Sequence, residues 1–137
     1  MRTIKYIAIH CTATPQSATI DSIRNYWKNV LKWKQPGYHY IVKPDGSVVN
    51  LLDIDKISNG VKGYNHETIN ISYIGGIDEA SGNPKDTRTD AQKVAIKNLL
   101  IQLRAKFPHA IIQGHRDFPN VKKACPSFDA KKEYSGV

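Results

Sequence analysis

Residues 3–10, TIKYIAIH, concentrate β-branched and apolar side chains in a short run that stops at the Thr/Pro/Ser-rich stretch TATPQSAT. So short an apolar run, closed by turn-forming residues, predicts an internal strand ending near His10, and an internal strand commits the chain to a sheet with covered faces. The segments that follow supply the cover. In TIDSIRNYWKNVLKW, Thr19 is placed to cap a helix, and Ile20, Ile23, Trp27 and Val30 recur at spacings of three and four, giving one apolar stripe before QPG ends it. YHYIVKPDGSVVNLL predicts a hairpin about Pro44-Asp45-Gly46. ETINISYIGGID (67–78) alternates Ile residues as a further strand does, and DEASGNPKDTR is a polar loop. Thr89 followed by Gln92 has capping-box form, with Val94, Ala95, Leu99, Leu100 and Leu103 lining one helix face to about residue 106. AIIQGH (110–115) predicts a last short strand. With no internal repeat or linker, the expectation is one α/β domain over residues 1–137, a central mixed β-sheet flanked by α-helices.

Charge narrows the partners. Twenty Lys and Arg against twelve Asp and Glu give +8, which favours polyanionic neighbours such as nucleic acid, anionic cell wall or lipid headgroups. The basic residues are scattered, and the five arginines are not gathered with aromatics on one element, so no nucleic-acid partner is expected. Nothing approaches the roughly 18–20 continuous apolar residues of a membrane span. The opening MRTIKYIAIHCTATPQ lacks a signal peptide's apolar run, so the chain is expected to be made in the cytoplasm, with Cys11 and Cys125 reduced; a Cys11–Cys125 disulfide is the alternative.

Three residues occupy comparable places in this scheme: His10 at the end of the first strand, His115 at the end of the last, and Cys125 in the loop beyond. Strand ends beside loops are where open sheets present functional groups. Imidazole and thiolate are preferred ligands of zinc, and two His with one Cys leave a fourth position open, the catalytic rather than the structural pattern. Their spacing meets no compact motif. A histidine can equally be a polar strand edge, and a free cysteine a small buried hydrophobe.

IHCTAT, GYHYIVKPDGSV, KGYNHETINISYIGGID, GHRDF and KKACPSFD follow one another in an order that resembles the zinc-dependent N-acetylmuramoyl-L-alanine amidases, the type 2 amidase family shared with peptidoglycan recognition proteins. The likeness is strongest to the short phage enzymes traditionally called lysozymes. It implies that His10, His115 and Cys125 bind one zinc ion, that Tyr38 of GYHY and Lys123 of KKAC are catalytic, and that Asn65 and His66 of GYNHE contact the muropeptide. A phenolic hydroxyl and an ammonium suit the tetrahedral oxyanion of amide hydrolysis. If His10 faces the cleft, its neighbour Cys11 faces the core. By the same alternation His39 turns away from Tyr38's side, and His109 lies in a loop; both are expected to be unliganded. Arg116 and Asp117 are expected to pair, orient His115 or brace the loop, and Asp129 to serve similarly.

The activity so implied is hydrolysis of the amide between N-acetylmuramic acid and L-alanine in peptidoglycan by a monomeric phage or prophage endolysin acting on the cell wall after release. Cleavage of glycosidic bonds is not expected, since no pair of carboxylates is placed for it. A cytoplasmic enzyme recycling muropeptides is the alternative. A non-catalytic peptidoglycan-binding module is the other, against which Cys125 argues.

Overall fold

The computed structural model describes residues 2–137. Five strands, β1 (Tyr6–Cys11), β2 (Tyr40–Val42), β3 (Val48–Asn50), β4 (Thr68–Tyr73) and β5 (Ile111–Gly114), form one sheet in the order β3-β2-β4-β1-β5. β1 runs parallel to β4 and β5, β4 is parallel to β2, and β3 closes the edge antiparallel to β2. The sheet is therefore mixed and the domain single, as expected.

The central strands are buried on both faces. Ile7, Ile9 and Cys11 of β1 point with Ile69, Ile71 and Tyr73 of β4 into the larger core, beneath a helix α2 (Asp90–Lys106) that contributes Ile96, Leu99, Leu100 and Leu103. Each fully buried Ile or Leu contributes about 1.5–3 kcal/mol relative to exposure. The alternate residues, Ala8 and His10 of β1 with Asn70 and Ser72 of β4, share the opposite face, since His10 lies in register with Ser72 and Ala8 with Asn70. Apolar clusters centred on Ile23, Trp27, Ile41 and Ile74, and on Ala8, Val61 and Phe118, cover that face.

Two helices differ in detail from their periodicity. Thr19 caps α1 (Ile20–Asn25) through a box with Ser22, but the helix widens into a π turn over Tyr26–Val30, where Leu31 N–H reaches Tyr26 O at 3.0 Å. The wider turn breaks the three-and-four spacing. Ile23 and Trp27 stay buried, whereas Val30, expected on the stripe, is 60% exposed. In α2 the Thr89–Gln92 box forms, yet Val94 is 61% exposed and Ile96 takes its expected place in the core. Gln92 is also buried: its amide nitrogen, Nε2, donates to Val42 O and Ile74 O, both at 3.1 Å, and so ties the helix to the sheet.

The topology places chemistry at one edge. β5 is added on the side of β1 opposite every other strand, and its parallel pairing with β1 brings the C-terminal ends of both strands together. Crevices of this kind at the carboxyl ends of strands are where open α/β sheets bind ligands.

Candidate metal centre

His10 sits one residue before the end of β1, and His115 opens a tight turn (His115–Asp117) directly after β5. Cys125 arrives from the irregular stretch before a short helix α3 (Ala130–Glu133). That stretch is pinned to the sheet: Tyr73 Oη donates to Pro126 O (2.6 Å), Arg116 N–H to Cys125 O (2.9 Å) and Ser127 Oγ to Gly76 O (2.9 Å). Gly114 permits the close approach, since a Cβ there would stand 2.6 Å from Pro126 Cδ. Farther along, Arg88 clamps the same segment with Asp86 (2.9 Å), Glu133 (2.6 Å) and Tyr134 Oη (2.9 Å), and its guanidinium lies 3.4 Å from the centroid of the Phe128 ring.

The result is a convergence of donors. One ligand atom from each of His10, His115 and Cys125 lies within 4.8 Å of the others. Cys125 Sγ is 3.8 Å from His10 Nδ1, close to the roughly 3.6 Å that separates N and S ligands around a tetrahedral zinc ion. Burial, reinforced by His115 and by the charge of Lys123, pulls His10 down to about 3, and burial with Lys123 pulls His115 down to about 4. Both imidazoles are therefore neutral near pH 7, the form that ligates. Hydrogen bonding to Cys11 and burial push the Cys125 thiol up. A divalent cation at this point reverses that, because it favours the thiolate.

Tyr38 stands beside the cluster, its ring centroid 5.1 Å from that of His10 and 5.3 Å from that of Trp27. Its hydroxyl donates to Cys11 O at 3.2 Å, and burial raises its pKa, so the phenol keeps its proton. Lys123 is exposed, and near enough to act electrostatically on His10, His115 and Cys125.

Cys11 is 4% exposed in the larger core, and both cysteines are free thiols, not a disulfide. His39 is fully buried outside the donor cluster, and His109 is exposed. Asp117 braces the loop by accepting from Gly114 N–H (2.8 Å), and Asp129 caps α3 by accepting from Lys132 N–H (3.1 Å). Asn65 Oδ1 accepts from the Gly60 and Val61 N–H groups at 3.0 and 2.6 Å, while the His66 side chain is 67% exposed with Nε2 3.7 Å from Glu67. Both precede β4, at the end of that strand away from His10.

Sequence reasoning missed Asn70, whose Oδ1 lies 2.7 Å from His10 Nε2. The signal was present in INIS, where polar Asn70 and Ser72 alternate with Ile69 and Ile71 and so fall on the face that carries His10.

Comparison with known proteins covers nearly the whole chain. The family model described as N-acetylmuramoyl-L-alanine amidase matches residues 1–128. An endolysin of Klebsiella phage KP32 is 40% identical over 130 residues, covering 92% of this chain and 82% of the relative. An endolysin of Escherichia phage T7 is 38% identical over 128 residues, with the same coverage of 92% and 82%. Among solved structures, the Ph2119 endolysin from the Thermus scotoductus MAT2119 bacteriophage Ph2119 superimposes with a TM-score of 0.78 at 25% identity, covering 92% of this chain and 79% of that one. Since the family match runs through each element that delivers a donor, from β1 to the loop bearing Cys125, the chain belongs to the N-acetylmuramoyl-L-alanine amidase family.

Proposed function

We propose that this amidase is a zinc-dependent phage or prophage endolysin, which hydrolyses the bond between the lactyl group of N-acetylmuramic acid and L-alanine in bacterial peptidoglycan. The observation that carries the reading is the meeting of His10, His115 and Cys125 within 4.8 Å. Two neutral imidazoles and one thiol are a donor set that fits zinc and leaves one position open. Zinc held there supplies polarisation of the scissile carbonyl and acidifies a water molecule, from a pKa of about 15.7 toward about 7.

The chain's own groups do the rest. The Tyr38 hydroxyl, protonated by burial, donates toward the oxyanion that grows as the amide carbon becomes tetrahedral, and the Lys123 ammonium adds positive charge from the solvent side. Loss of either donor costs about 10²–10³ in rate. Asn65 and His66 are read as muropeptide contacts; their place at the far end of β4 gives them a part of the substrate remote from the scissile amide. The Asn65 contact then falls to its amide nitrogen, since Oδ1 is engaged by the Gly60 and Val61 N–H groups. A net charge of +8 suits an anionic wall, and the relatives named as endolysins support action there after release, as a monomer with the whole of residues 1–137 as one amidase domain.

Metal content of the purified chain, measured beside clearing of intact sacculi with and without a chelator, tests the reading. One zinc per chain and chelator-sensitive clearing are expected. Stoichiometric zinc without clearing points to a binding module, and turnover of soluble muropeptides but not sacculi points to recycling inside the cell.

A further inference from the structure

The face of the sheet that carries His10 also carries a buried chain of hydrogen bonds that the hydrolytic reading leaves unused. It begins at the main chain, where Asn70 N–H donates to His39 Nδ1 at 3.0 Å. A backbone N–H can only donate, so His39 Nδ1 is an acceptor and the ring proton sits on Nε2, 2.7 Å from Lys56 O. Ser58 Oγ lies 3.2 Å from the same Nδ1, which turns its proton toward His39 and its lone pairs toward Asn70. Asn70 Nδ2 donates to that oxygen at 2.7 Å. The other end of the amide, Oδ1, is thereby directed to His10 Nε2, 2.7 Å away. His39, Ser58 and Asn70 are fully buried and His10 nearly so. Gly60 packs flat against the amide: a Cβ there would stand 2.2 Å from Asn70 Cγ, so the group has no room to swing away.

An amide oxygen accepts and cannot donate, so His10 carries its proton on Nε2 and keeps the lone pair on Nδ1, the atom 3.8 Å from Cys125 Sγ. We propose that Asn70 is the positioning residue of the metal centre: held by Ser58 and His39, its amide oxygen selects the tautomer and ring orientation of His10 that turn Nδ1 toward His115 and Cys125. The inference rests on the reading of His10 as a metal ligand given above. Ligating histidines hold their second nitrogen in this manner, and loss of the outer partner costs about 10–100-fold in metal affinity or activity. Here the acceptor is neutral, so it fixes the ring without adding negative charge to the buried face.

Two readouts test it on the full chain. In zinc-free protein at pH 7, long-range ¹H–¹⁵N correlation should place the His10 proton on Nε2. Asn70→Leu should lose that signature, giving a mixture or the Nδ1–H form, and its zinc dissociation constant, measured against a chromophoric chelator, should rise about 10–100-fold. Asn70→Asp keeps an acceptor at the same point and should retain both the Nε2–H form and zinc affinity at least equal to wild type. If Asn70→Leu does not fold, Ser58→Ala, which frees the amide to flip, should show the mixed tautomer in its place. A His10 proton on Nδ1 in the wild type, or an Asn70→Leu variant with unchanged tautomer and zinc affinity, overturns the inference. Zinc uptake by the wild type is the control: its absence overturns the metal reading and this inference with it, whereas equal uptake by wild type and the Leu variant overturns the inference alone.

Discussion

Two thiols meet at the edge of this sheet, and their surroundings divide the work between them. Cys11 is packed in the apolar core, whereas Cys125 holds its sulfur 3.8 Å from His10 Nδ1 and 3.2 Å from the backbone N–H of Cys11. Cys125→Ser should abolish tight zinc binding and cut hydrolysis by more than about 100-fold, beyond what loss of an outer partner costs, with the fold kept. Metal analysis and a turnover assay on the same sample check this, and normal turnover contradicts it. Buried histidines make a separate forecast at the scale of single groups. Burial draws His39 down to about 4, from an unfolded value near 6.5. A group whose folded pKa is depressed leaves stability intact above the unfolded value and withdraws it as pH falls toward the folded one. With a chelator present, the denaturant midpoint should therefore fall between pH 6.5 and 4.5, with His39 alone withdrawing about 2–3 kcal/mol. A midpoint unchanged across that window would contradict the buried, neutral assignment.

At the scale of elements, the loop that delivers Cys125 is only as fixed as its tethers. Arg88, with its side chain 1% exposed, joins Asp86 before α2 to Glu133 in α3 and covers the ring of Phe128, three residues beyond Cys125. Arg88→Met should cost about 2–3 kcal/mol, below the 3–5 of a fully buried pair because Asp86 and Glu133 keep access to water. Urea unfolding measures that loss, and a zinc titration of the folded variant should show weaker binding as the loop loosens; unchanged values for both would remove the clamp from the account. The sequence did not mark Arg88, because only Asp86 is near it in the chain, while Glu133 and Tyr134 lie 45 and 46 residues away and no local periodicity records them. Strands and helix starts were legible where the cause is local: Thr19 and Thr89 each cap a helix as their spacing to Ser22 and Gln92 allows. Val30 and Val94 were misplaced for different reasons. A π turn after Asn25 breaks the spacing that put Val30 on the stripe, whereas in α2 the regular spacing holds and itself sets Ile96 beside Leu99, Leu100 and Leu103, with Val94 on the opposite side of the helix from Leu103.

Across the whole molecule, the parallel placement of β5 beside β1 brings His115 to His10, although the two lie 105 residues apart in a chain of 137. The three residues proposed as donors were singled out by resemblance to a family, and their meeting is a consequence of topology that periodicity alone does not give. Asn70 escaped notice because its work crosses from β4 to β1, at right angles to the direction in which a sequence is read. The central claim is that His10, His115 and Cys125 jointly hold zinc for amide hydrolysis, and it is tested most directly by mass spectrometry of sacculi digested with the chelated and the zinc-restored chain. Restored protein should release L-alanine-terminated stem peptides from intact glycan strands, and chelated protein should release none. New reducing ends on the glycan, or stem-peptide release undiminished by the chelator, would contradict it.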